Sequence, residues 1–188
     1  MEVTTTIVGN GIAQAGAFGT LNAAAAAPQC LQVPMGKLKI GVRTDQLQAL
    51  LGSCVGIAFL WKKRGCCGLA HCLLPEAPEQ DCEIGARYVS QAVPSLLRLM
   101  GATEADYPDI EVVVAGGAHM FQRHSSRLQV GQQNAAAAHK YLRQCGLNVS
   151  YCRLGGKCGR TLTIDCATQS YAVTDIIATA EDQLHARH

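Results

Sequence analysis

The sequence predicts an α+β fold. Short stretches with period-two alternation, or with continuous β-rich apolar runs, recur along the chain and mark strands. Two stretches keep a 3.6-residue apolar spacing and mark helices. The strands mostly follow one another directly, with the helices set among them. Hairpins rather than regular βαβ units therefore organise the sheet.

The elements follow in order. Residues 1–32 are rich in Ala, Gly, Thr and Asn, pass through Ala23 to Ala27 and reach Pro28 without a sustained period. They read as a flexible or weakly helical extension without chemistry, a docking tail being the alternative. Leu38, Ile40 and Val42 then alternate with Lys and Gly, a strand with one buried face. Val55 to Trp61 is a buried strand. The polar, Gly-bearing stretch Lys62 to Gly65 turns it into a partner strand, Cys67 to Leu74, which Pro75 ends. A polar loop runs from Pro75 to Glu83. Ile84, Tyr88, Ala92, Leu96 and Met100 recur at helical spacing up to the stop at Gly101, and Pro94 predicts a bend or break. Glu111 to Val114 is a short buried strand entering Gly116-Gly117. Asn134 to Gln144 is a second helix, closed by Gly146. Asn148 to Arg153 is a strand ending at Gly155-Gly156. Thr161 to Asp165 places Leu162 and Ile164 on one face, and Tyr171 to Val173 closes the sheet. Residues 174–188 form a polar, helical tail.

Composition narrows the function. A chain of 188 residues is long enough for one well-buried core, and two domains are not expected. The net charge is +2 and no stripe gathers Lys and Arg, which argues against nucleic acid. No apolar run is long enough for membrane insertion. No Lys or Arg precedes Lys37, so a secretory signal is not expected. The ten cysteines therefore point to a reducing cytoplasm rather than a disulfide framework. No C-x-x-C occurs and Cys66-Cys67 is vicinal, so no metal and no cofactor are expected. Cys152, Cys158 and Cys166 read as small buried hydrophobes.

The chemistry concentrates in two words. Cys54 stands in Leu51-Gly52-Ser53-Cys54-Val55, and His71 in Gly68-Leu69-Ala70-His71-Cys72-Leu73-Leu74-Pro75. The hairpin brings the two side by side. A thiolate is a nucleophile, and a neighbouring imidazole can form it and then protonate a leaving group. Gly52 and Ser53 permit a tight turn whose backbone N–H groups face a carbonyl oxygen. A buried core cysteine and a satisfied core histidine are the plain alternatives. Gly116, Gly117, Gly155 and Gly156 match no phosphate-loop pattern and read as turns of positive φ or as close approach to a substrate. Asn134 reads as a helix cap. His119, in the glycine turn, lies near enough in sequence to approach the site.

These words resemble the CheD family of chemoreceptor glutamine deamidases. Leu-Gly-Ser-Cys-Val at 51–55 and the His71 word with Leu74-Pro75 carry the likeness. So do Ala115-Gly116-Gly117-Ala118-His119-Met120-Phe121, Val130-Gly131-Gln132-Gln133-Asn134 and Gly155-Gly156-Lys157-Cys158-Gly159-Arg160. The likeness spans Val33 to Val173, which sets a domain at 33–173 with 174–188 as a tail. It implies a layered β-sandwich with outer helices, similar to the deamidase domain of cytotoxic necrotizing factor toxins. It implies catalysis by Cys54 and His71 and a substrate cleft bordered by Gly116, Gly117 and Asn134. Where the family carries a Thr as third catalytic member this chain has Gln48, and the nearest upstream hydroxyl is Thr44. Either the Gln48 amide or a backbone carbonyl orients His71. A family Lys is replaced by Val113. The implied substrates are glutamines, with glutamate methyl esters as a second class, on the cytoplasmic helices of chemoreceptors (methyl-accepting chemotaxis proteins). The implied partner is a CheC-type phosphatase. Two other readings are a non-catalytic adaptor and a redox sensor working through its thiols.

Overall fold

The structure, a computed structural model, describes residues 30–78, 83–119 and 127–176. The described strands are β1 (Cys30–Gln32), β2 (Leu38–Val42), β3 (Gln46–Leu51), β4 (Val55–Trp61), β5 (Cys66–Cys72), β6 (Ile110–Gly116), β7 (Val149–Leu154), β8 (Arg160–Asp165) and β9 (Ser170–Asp175). The helices are α1 (Val89–Met100), between β5 and β6, and α2 (Arg127–Gln144), between β6 and β7. One sheet has the order β1-β3-β8-β9 and the other β2-β5-β4-β6-β7. β1 with β3 and β6 with β7 are parallel, and the other pairs are antiparallel.

The second sheet is the middle of three layers. Every residue of β4 and β5 is buried, because the first sheet covers one face and the helices the other. That double burial is why both strands read as unbroken apolar runs. Val55, Ile57, Phe59 and Trp61 join the core under the helices, with Leu96, Met100, Ala138 and Leu142. Cys54, Ala58 and Leu60 face the other way, against Leu47, Leu51, Leu162 and Ile164 of the first sheet. The architecture is mixed α and β, as expected, and the hairpin turn falls at Lys62–Arg64 with Gly65 at φ 62°.

Several local expectations are corrected. α1 begins at Val89, not Ile84. Tyr88 is extended and bridges to Leu74, and the first helical N–H groups, of Val89 and Ser90, donate to the carbonyls of Leu74 and Pro75. The Leu-Pro pair after His71 thus caps the helix in place of a side chain. Pro94 neither ends nor interrupts α1. It is exposed, so the Ser90 carbonyl it leaves without a helical donor lies toward solvent. α2 begins at Arg127, so Asn134 is not its cap. β3 was hidden by poor strand formers, although Leu47, Ala49 and Leu51 alternate into the core as a strand requires. Cys152 and Cys158 are exposed, not buried, and only Cys166 of that trio is in the core. β1 draws Cys30–Gln32 out of the supposed extension, and β9 carries the sheet to Asp175. The expectations for residues 1–29 and 177–188 lie outside the described residues. Among the described residues no helix is long and apolar enough to cross a membrane.

Candidate active site

The chain changes sheets at the cysteine. β3 ends at Leu51 in the first sheet and β4 starts at Val55 in the second, so Gly52-Ser53-Cys54 is the crossing. The glycine loop after β6 fastens it. Gly117 N–H donates to the Cys54 carbonyl and Ala118 N–H to the Gly52 carbonyl, both at 2.8 Å. Gly116 has φ 108°, and a Cβ there would stand 2.3 Å from the Cys54 carbonyl oxygen. Only glycine lets the two backbones come this close. Gly117 meets α2 similarly, at Gly131.

Strand register brings in the imidazole. Gly56 pairs directly with His71. Cys54 shares the face of Gly56, so Cys54 and His71 are diagonal neighbours on the side turned toward the first sheet, a spacing that longer side chains can bridge. Both are buried, at 5% and 3% exposure. His71 Nδ1 lies 3.0 Å from the Val33 carbonyl oxygen. A carbonyl only accepts, so the proton sits on Nδ1 and the lone pair on Nε2. Nε2 is buried and has no hydrogen-bond partner. Val33 is itself fixed: its N–H donates to the Gln48 carbonyl at 2.7 Å, and Pro34 biases it toward extended backbone.

Burial sets the resting charges. It pushes the Cys54 thiol above its ordinary value, while the residue's own backbone works in the opposite sense. It holds the His71 imidazolium below its ordinary value, against the Val33 carbonyl. Thiol and imidazole therefore rest neutral near neutral pH. The arrangement suits general-base activation as a carbonyl substrate arrives, rather than a standing ion pair.

Gln48 does not bond to His71. Its Oε1 accepts from Gln32 Nε2 at 2.6 Å and its Nε2 donates to Thr163 Oγ1 at 3.0 Å, a clasp across β1, β3 and β8. The expected orienting role of its amide is corrected by this geometry, and the backbone carbonyl alternative is the one present. Thr44 is exposed in the turn at the opposite end of β3 and has no part in the site. Val113 is fully buried between the sheets, so position 113 presents nothing to a partner. Asn134 is buried and its Nδ2 donates to the carbonyls of Ser53 and Leu73, each at 3.1 Å. His119 N–H donates to the Gly156 carbonyl at 2.8 Å, while its Nε2 is buried without a partner. His139 is exposed beside Cys152, and His124, His185 and His188 lie outside the described residues.

Two functional groups escaped the sequence reading. The Val33 carbonyl has no side-chain signature at all. Arg160, noticed only as part of a glycine word, is buried and holds the glycine loop from behind. Its Nη1 donates to the carbonyls of Gly116 and Arg153 at 3.1 and 3.3 Å, and its Nε donates to Asp175 at 3.0 Å.

The family model described as CheD chemotactic sensory transduction matches residues 73–175, more than half of the chain. The chain belongs to the CheD family. A probable chemoreceptor glutamine deamidase CheD of Bdellovibrio bacteriovorus is 39% identical over 70% of this chain and 86% of its own length. A second, named CheD 2, of Ruegeria sp., is 36% identical over 78% of this chain and 92% of its own. One of Methanococcus vannielii is 36% identical over 71% and 87%. The family model starts beyond His71, but an alignment covering 78% of the chain necessarily includes both Cys54 and His71.

Proposed function

We propose that this CheD chain is a protein-glutamine deamidase of chemotaxis, converting glutamines on the cytoplasmic helices of chemoreceptors to glutamates. The observation that carries the reading is His71. Its ring is held through Nδ1, while Nε2 stays buried, basic and unpartnered on the same face as the Cys54 thiol.

The course follows from these groups. His71 Nε2 takes the thiol proton as Cys54 Sγ bonds to the carboxamide carbon. The oxyanion meets backbone N–H at the Gly52-Ser53-Cys54 turn. The imidazolium returns its proton to the nitrogen, ammonia leaves, and a thioester remains. Water, deprotonated by His71, cleaves the thioester to glutamate and restores the thiol. Glutamate methyl esters enter by the same thioester, with methanol leaving. Gly116 and Gly117 would border the cleft, while Asn134, which has no exposed surface, would support it from behind. A likeness to the deamidase domain of cytotoxic necrotizing factor toxins, a cytoplasmic setting without a cofactor, and contact with a CheC-type phosphatase belong to the same proposal.

The adaptor reading drew its force from Gln48 at the family's Thr position. It loses force because the acceptor for His71 is a backbone carbonyl, which no side-chain change at position 48 removes. The test is incubation with receptor cytoplasmic domains, read by mass spectrometry. Conversion should add about one mass unit per glutamine and vanish in Cys54→Ala while the fold persists. A Cys54→Ala protein that still deamidates would exclude this mechanism, and a parent inert on its own receptors would favour the adaptor.

A further inference from the structure

Asn134 sits mid-way along α2 with no exposed surface. Asparagine is a poor helix former. Both Nδ2 hydrogens are used, on the carbonyls of Ser53 and Leu73. Because both partners can only accept, the orientation of the amide is fixed. Its Oδ1 is buried without a hydrogen-bond partner. A half-satisfied buried amide costs the fold free energy, so packing alone does not account for an asparagine here.

The Ser53 carbonyl and the Cys54 N–H belong to one peptide unit. The described peptide bonds are trans, and in a trans unit the two groups point in opposite directions. Pinning the Ser53 oxygen toward α2 therefore aims the Cys54 N–H away from α2. Accepting a bond at the carbonyl also polarises the peptide and strengthens its N–H as a donor. The same amide holds the Leu73 carbonyl, two residues beyond His71.

We infer that Asn134 is the positioning residue of the oxyanion site. It clamps the Ser53–Cys54 peptide so that the Cys54 N–H meets the oxyanion of a tetrahedral intermediate, and it keeps that peptide in register with the His71 strand. The inference rests on Cys54 being the nucleophile of the function proposed above.

Two small reagents separate this role from general support. p-Nitrophenyl acetate acylates a thiol through a tetrahedral oxyanion: the S–C bond forms, the bond from the acyl carbon to the nitrophenyl oxygen breaks, and the thiol proton leaves with the nitrophenol. Iodoacetamide alkylates the same sulfur by displacing iodide, and no oxyanion forms. Rates at Cys54 are obtained by mass mapping, with Cys54→Ala setting the background from the other thiols. Asn134→Ala should slow acylation roughly ten- to a hundred-fold, the scale of a misaimed oxyanion donor. Alkylation should stay within about threefold, since thiol activation is intact. Asn134→Asp, nearly isosteric, serves the same comparison should the alanine variant fold poorly. Equal losses with both reagents would make Asn134 a general support of the fold, and unchanged acylation would remove it from the oxyanion site. Neither reagent involves a receptor. A parent that acylates normally yet deamidates no receptor would overturn the proposed function and leave this assignment standing.

Discussion

Gln48→Ala tests which atom orients the imidazole. The substitution removes the Gln32–Gln48 and Gln48–Thr163 side-chain bonds. It leaves the Gln48 backbone carbonyl that accepts from Val33, and so the Val33 carbonyl that accepts from His71. Each lost bond contributes about 0.5–1.5 kcal/mol net, and the first is exposed and lies at the low end. The expected destabilisation is about 1–2 kcal/mol, or roughly 2–8 °C in Tm for a chain of this size. If ring orientation depended on the residue 48 side chain, kcat should fall roughly ten- to a hundred-fold. With the carbonyl in charge, kcat should stay within about threefold of the parent, under 1 kcal/mol in barrier. The assay is steady-state deamidation of a receptor fragment, well below the variant's Tm, with thermal unfolding alongside. A tenfold or larger loss of kcat at an unchanged Tm would refute the carbonyl account and return the role to Gln48. Gln48→Thr should behave like the alanine variant in kcat.

Four further outcomes follow from the site. Gly116→Ala places a methyl 2.3 Å from the Cys54 carbonyl oxygen at a φ of 108°, so deamidation and selective Cys54 alkylation should both collapse; near-parental rates would show that the loop is not fixed as described. Arg160→Ala leaves the Gly116 carbonyl and the partly exposed Asp175 without their buried cation, which should cost about 2–3 kcal/mol in a denaturant titration; a loss below about 0.5 kcal/mol would mean the loop stands without it. His71 is held below its ordinary value of 6.5 by burial, so the unfolded chain binds the proton first as pH falls. Its contribution to stability is full above pH 6.5 and is lost as pH drops through the folded-state value. The acidic limb of kcat/KM should lie below pH 6.5 for the same reason, and a limb above that value would contradict the buried neutral imidazole.

Legibility in the sequence followed locality. The β4–β5 hairpin was readable because its apolar runs and the Lys62–Gly65 turn are contiguous. The small-residue turn before Cys54 was readable for the same reason. Ile84 misled because its helical spacing with Tyr88 continues past the true start of α1, which the distant Leu74 and Pro75 carbonyls decide. Cys152 misled because strand-like patterning does not say whether a strand has a neighbour to cover it, and β7 is the outer strand of its sheet; Cys158 misled because it falls in the loop between β7 and β8.

By itself the sequence determined the nucleophile and base candidates, the turn chemistry around them and the alternation that sorts side chains onto two faces, all of which depend on residue type and short-range spacing. Only the tertiary structure decided what surrounds them. It sends Gln48 to Gln32 and Thr163 rather than to His71, makes Asn134 a clamp rather than a cap, and gives the orienting bond to Val33. The reason is that the decisive partners are backbone carbonyls, of Val33, Ser53, Leu73 and Gly116. A carbonyl is the same atom pair in every residue, so no side-chain code announces it, and only the folded path of the chain brings it within 3 Å or so of the group it holds.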